Sequence, residues 1–144
     1  MSVDTTASVI IHQVNCFTIG AGVAKAIVDR WPLVKEEHER VTKNSHNFLG
    51  KIQPVYVNDK QCVINMFSQY NYGNDSVRYT SYDALYDCLV KVRNFVIEHY
   101  GYTTTIALPY NMSCGRGGAS WNVVMAMITD IFETSDLNIE IWKL

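Results

Sequence analysis
The chain twice runs from a short apolar segment, through a glycine-containing loop, into a segment with helical spacing. This repeated order constrains the fold more than any other feature of the sequence. In VIIHQVNCFTIGAGVAKAIVDRW, Val9, Ile10 and Ile11 begin a buried-strand pattern. Val23, Ile27, Val28 and Trp31 then recur at helical intervals after Gly20 and Gly22. The second passage predicts a strand over 103–108 and a loop carrying Gly115, Gly117 and Gly118. A helix over 121–133 follows, with Val124, Ile128 and Ile131 turned inward. Two readings of such junctions stay open: the glycines let backbone N–H groups approach an anion at the positive end of a helix, or they only connect packed elements.

The remaining segments fit the same scheme. Residues 51–57 and 61–67 are β-rich runs separated by Asn58, Asp59 and Lys60, which predicts an antiparallel hairpin. Residues 33–44 read as a solvated helix with a thin apolar edge at Val34 and Val41. A further helix carries Leu85, Leu89, Val92 and Val96 on one face, with Thr80 and Asp83 resembling a capping box and Gly101 a stop. Residues 138–142 close the pattern as a strand. The alternation predicts a layered α/β fold over residues 1–144, with helices on both faces of a mixed sheet of about five strands. In such folds ligands bind beyond the carboxyl ends of the strands.

Composition narrows the ligand. The 12 basic and 14 acidic residues leave a formal charge of −2 without a block of like charges, which predicts against broad attraction to nucleic acid. Cys16, Cys62, Cys88 and Cys114 form no C-x-x-C pair, so neither a zinc site nor a disulfide framework is expected, and no cofactor is indicated. With no leader-like opening and no apolar run approaching the ~20 residues of a membrane span, a cytoplasmic location and no membrane association are expected. Nothing in the sequence speaks to the oligomeric state. A diphosphate lying between the two glycine loops fits these limits, with Arg116 either adding a cation or facing solvent.

The segments IIHQVNCFTIGAGVAKAI, INMFSQYNYG and LPYNMSCGRGGASW, in this order and followed by a helix and a strand, resemble a macrodomain. The resemblance extends over nearly the whole chain. It is nearest to the small bacterial and phage macrodomains of the ADP-ribose-1''-phosphate phosphatase and deacylating ADP-ribosyl hydrolase group. It implies a three-layer α/β/α fold with a largely parallel sheet and an ADP-ribose-type ligand. By this resemblance Asn15 hydrogen-bonds the distal ribose, and Cys16, Gly20, Ala21, Gly22 and Val23 belong to the first loop. Ser113, Cys114, Gly115, Arg116, Gly117, Gly118, Ala119 and Ser120 form the second loop, which would wrap the diphosphate. Ser68, Gln69 and Tyr70 would border the distal end, the Tyr ring either packing on ligand or serving structure.

The sequence departs from the group in two places. Members that form a lysyl intermediate use a Lys after the INMF strand and an Asp in the second loop, where this chain has Ser68 or Gln69, and Gly117. Neither replacement supplies an amine nucleophile or a carboxylate. Upstream of Val9, only Asp4 stands near the place of the family's adenine-contacting Asp. His12 resembles a histidine of phosphatase-like members and reads either as a proton donor or water-orienting group, or as a histidine satisfied by its surroundings. His38, His46 and His99 read as surface or packing residues, and Cys16 and Cys114 as space-filling thiols. The expected function is ADP-ribose binding with hydrolysis of ADP-ribose-1''-phosphate or ester-linked ADP-ribose and no lysyl intermediate. The alternative is a non-catalytic binder of ADP-ribose or a cyclic signalling nucleotide. A reader of nucleic-acid ends is disfavoured by the missing basic patch.

Overall fold
A computed structural model describes residues 3–73 and 77–143. Five strands and four helices alternate in the order β1 (Val9–Asn15), α1 (Val23–Arg30), α2 (Pro32–Thr42), β2 (Ile52–Tyr56), β3 (Cys62–Gln69), α3 (Tyr82–Tyr100), β4 (Thr105–Pro109), α4 (Trp121–Phe132) and β5 (Asn138–Trp142). The sheet order is β2-β3-β1-β4-β5. β2 runs antiparallel to β3, as the hairpin pattern predicts, and the other strand pairs described are parallel. The carboxyl ends of β1, β3, β4 and β5 therefore share one end of the sheet.

Strand alternation divides the core between two helical layers. Ile11, Ile64, Met66, Ile106 and Leu108 face α3 and α4, meeting Leu85, Leu89, Val92, Val96, Val124, Ile128 and Ile131. Ile10, Val63 and Ala107 point the other way, onto Ile27, Trp31 and Val34 of α1 and α2. β1 and β3 sit mid-sheet and are covered on both faces, so burial is nearly continuous along them and takes in the polar His12, Asn65, Ser68 and Gln69. Full burial of a side chain such as Leu89 contributes about 1.5–3 kcal/mol each.

Two local expectations are corrected. Ser81, not Thr80, is the N-cap of α3; its hydroxyl accepts from Ala84 N at 3.2 Å. Thr80 is committed elsewhere, to the clasp described below. The solvated helix at 33–44 is α2, but its inner edge carries two polar residues, His38 and Thr42, both buried beside Val34.

Candidate functional site
Because the parallel strands end together, the loops that leave them enclose a cleft. One lobe, of about 240 Å³, lies between the β1–α1 loop and the end of β3, with Asn15, Thr18, Gly20, Gln69, Tyr72 and Gly73 in its wall. The other, of about 360 Å³, lies between the start of α1 and the β4–α4 loop, with Gly22, Val23, Asn111, Ser113, Cys114 and Gly115 in its wall. Gln13, Ala21, Ala24 and Arg116 border both lobes, which makes them one continuous cleft.

The first loop is shaped by Asn15 and glycine. A register shift between Val14 and Asn15 sets Asn15 opposite Gln69. The Asn15 side-chain oxygen then accepts from the backbone N–H of Phe17 and of Thr18, both at 2.8 Å, and turns the chain. With Oδ1 so occupied, the Nδ2 donor of Asn15 remains for a ligand in the first lobe. The backbone carbonyl of Asn15 accepts from His38 Nε2 at 2.8 Å, tying the strand end to α2. Gly22, at φ 60°, occupies the N-cap of α1 in the left-handed region, where a Cβ would be strained. In the first turn, Ala24 borders both lobes and Val23 the second, while the Lys25 N–H donates to the Gly22 carbonyl at 3.1 Å.

Gln13 is a site residue that family comparison of motifs misses. Its Nε2 donates to Gln69 Oε1 at 2.9 Å and Thr80 Oγ1 at 3.0 Å, and its Oε1 accepts from Ser68 Oγ at 2.7 Å. The Thr80 hydroxyl donates to the Ser113 carbonyl at 3.1 Å, and Thr80 N–H donates to the Gly117 carbonyl at 2.9 Å. Thr80 thus clasps the second glycine loop at two points and Gln13 holds Thr80. The one available signal in the sequence is that Gln13 stands in the polar carboxyl half of β1, between His12 and Asn15.

The structure takes His12 away from the cleft. It is 1% exposed and lies on the α1/α2 side of the sheet, where its Nε2 pairs with Asn65 Oδ1. Burial lowers its pKa to about 4, against the raising effect of the Asn65 bond, with His38 nearby adding to the depression. His12 lines neither lobe, and its burial favours the neutral ring. His38 is also buried, and burial lowers its pKa against the opposing bond to Asn15.

Other expected positions divide by what their side chains do. Asn15, Gly20, Ala21 and Gln69 line the first lobe, and Gly22, Val23, Ser113, Cys114 and Gly115 the second, with Arg116 between. Cys16 is fully buried and packs with Val14 and Phe67. Ser68 is fully buried beneath the cleft floor and serves Gln13. Tyr70 does not line the cleft; its ring packs edge-on against Phe17. Gly117 lies on the Thr80 clasp, Gly118 against the backbone of Val77 and Arg78, Ala119 in the core, and Ser120 at the start of α4. These four support the loop rather than line the cleft. Asp4 is exposed and borders neither lobe. Burial raises the Cys114 and Cys16 thiol pKa values, which keeps both protonated and poorly nucleophilic.

Neither a protein-family model nor a curated protein matches this chain in sequence. Solved structures do match it. A Bacteroides thetaiotaomicron protein of unknown function superposes with a TM-score of 0.86 at 27% identity, over 99% of this chain and 90% of that one. The macrodomain of Mycobacterium tuberculosis DarG superposes with a TM-score of 0.81 at 19% identity, over 98% of this chain and 93% of its own. Thermosipho africanus DarTG in complex with ADP-ribose matches at 0.74 and 16% identity, over 97% of this chain and 39% of that longer one. The chain therefore has the macrodomain fold, a mixed five-stranded sheet between helical layers.

Proposed function
We propose that the two-lobed cleft binds ADP-ribose and holds it without turning it over. The observation that carries this reading is the cleft itself, placed at the shared strand ends between two glycine loops and lined by Asn15, Gln69 and Arg116. The distal ribose enters the first lobe, where its hydroxyls accept from Asn15 Nδ2 and from the remaining N–H of Gln69. The diphosphate lies at the junction, facing Arg116 and the start of α1 at Val23 and Ala24. Adenosine extends into the second lobe. The ADP-ribose complex of a protein sharing this fold supports the ligand assignment.

Capture without turnover is favoured by the chemistry of the walls. Among the described residues lining the cleft, the ionisable side chains are Tyr72, Cys114 and Arg116. Water attack on a phosphate or an ester needs a group that accepts or donates a proton near neutral pH. His12, the sequence candidate for that work, is buried and lines neither lobe. Hydrolysis would then rest on positioning by the loops alone. Calorimetric titration with ADP-ribose and incubation with ADP-ribose-1''-phosphate test both parts. Saturable one-site binding with no phosphate release is the expected result. Absence of binding overturns the ligand assignment, and steady phosphate release abolished by Asn15→Ala restores the phosphatase reading.

A further inference from the structure
We propose that Gln13 is a positioning residue that joins the two lobes into one site, so that the cleft selects ligands long enough to lie across both. This rests on the ADP-ribose reading above. Of the four residues that border both lobes, Gln13 is the one whose side chain is hydrogen-bonded toward both walls. On one side it fixes Gln69 of the first lobe and is itself fixed by Ser68, which is fully buried. On the other it holds Thr80, which grips the second loop through the carbonyls of Ser113 and Gly117. The packing around Gly117 is an independent sign that the grip is tight: a Cβ there would fall 2.4 Å from Thr80 Oγ1 and 2.7 Å from Gln13 Nε2.

The network extends past Gln13 in both directions. Gln69 passes the direction of the amide chain on by donating Nε2 to the Asn71 carbonyl at 2.7 Å, ahead of Tyr72 and Gly73 in the lobe wall. The amide chain runs donor to acceptor from Ser68 through Gln13 and Gln69 to Asn71, and Thr80 Oγ1 lies within hydrogen-bond reach of both Gln13 Nε2 and Gln13 Oε1 as well as of the Ser113 carbonyl. A side chain of the same length without the amide keeps the volume and loses both ties. The walls would then move independently. A ligand confined to the second lobe and the junction would lose less than one that spans the cleft, because only the spanning ligand depends on the distance between the walls.

The test compares ADP-ribose with ADP, which lacks the distal ribose, on wild type, Gln13→Met, Thr80→Val and Thr80→Ser. Melting temperatures check that each variant is folded. In Gln13→Met and Thr80→Val the preference for ADP-ribose over ADP should shrink about tenfold, the scale of one or two lost hydrogen bonds. Thr80→Ser keeps the hydroxyl and should behave as wild type. A ligand-free readout accompanies it: trypsin cleavage after Arg116, exposed in the second loop, should quicken several-fold in the first two variants and not in Thr80→Ser. Equal weakening of both nucleotides, or unchanged cleavage at Arg116 in a folded Gln13→Met protein, overturns the positioning role. If the wild type binds neither nucleotide, the ADP-ribose reading falls, and the cleavage rate alone decides for or against Gln13.

Discussion

Replacing Gly117 by Ala adds one methyl group where the structure has no room for it. The new Cβ would lie 2.4 Å from Thr80 Oγ1, 2.5 Å from the Ser113 carbonyl oxygen and 2.7 Å from Gln13 Nε2. The Ser113 oxygen belongs to the backbone, and the two side-chain atoms are held by hydrogen bonds, so the loop must retreat. Retreat strains or breaks the two bonds from Thr80 to the loop, worth about 1 kcal/mol each. Overpacking of a filled site costs about 1–3 kcal/mol by itself. The expected destabilisation is roughly 2–4 kcal/mol, a fall in melting temperature of about 6–12 °C for a chain of this size. Gly115→Ala is the control in the same loop: no heavy atom lies within 4 Å of its would-be Cβ. That variant should stay within about 0.5 kcal/mol of wild type. Urea denaturation followed by tryptophan fluorescence, with melting curves, measures both. If Gly117→Ala proves as stable as Gly115→Ala, the clasp is not a close-packed feature and the reasoning fails.

Asn15→Asp keeps the oxygen that turns the chain at Phe17 and Thr18 but replaces the Nδ2 donor by an acceptor, so ADP-ribose affinity should fall at least tenfold with little change in melting temperature. Calorimetry on the folded variant decides it, and unaltered affinity would remove Asn15 from the ligand contacts. Stability should also fall with acidity. The folded pKa of His12, about 4, lies below its ordinary 6.5, so the unfolded chain takes up the proton first as pH drops. The stability held above pH 6.5 should decline by roughly 3 kcal/mol toward pH 4, and His38, also depressed, acts in the same direction. Urea titrations at pH 7 and pH 5 measure the decline, which His12→Gln should reduce; a flat profile would contradict the burial of His12. Thiol labelling should find Cys114 first, because Cys16, Cys62 and Cys88 are fully buried and burial pushes Cys62 and Cys88 up to about 11 and 12. Saturating ADP-ribose should slow the Cys114 reaction, and mass spectrometry identifies the labelled residue.

Local sequence determined the elements and two of the cleft's walls. The run Val9, Ile10 and Ile11, the hairpin around Asn58 to Lys60, and the helical spacing of Leu85, Leu89, Val92 and Val96 each specify their structure through neighbours a few residues away. The loops following Asn15 and Pro109 were legible for the same reason, since strand, glycine and helix follow one another directly along the chain. What the sequence could not decide was which polar residue of β1 enters the cleft. His12 and Gln13 are adjacent, and a strand sends adjacent side chains to opposite faces of the sheet. The alternation says that they part, but not which of them α1 and α2 will cover. That depends on the sheet order, which sets β3 beside β1 and brings Ser68, Gln69 and Thr80 to Gln13 across more than 50 residues of chain. The same packing closes α2 over His12, so that the histidine with the expected chemistry is buried and the unremarked glutamine stands in the cleft.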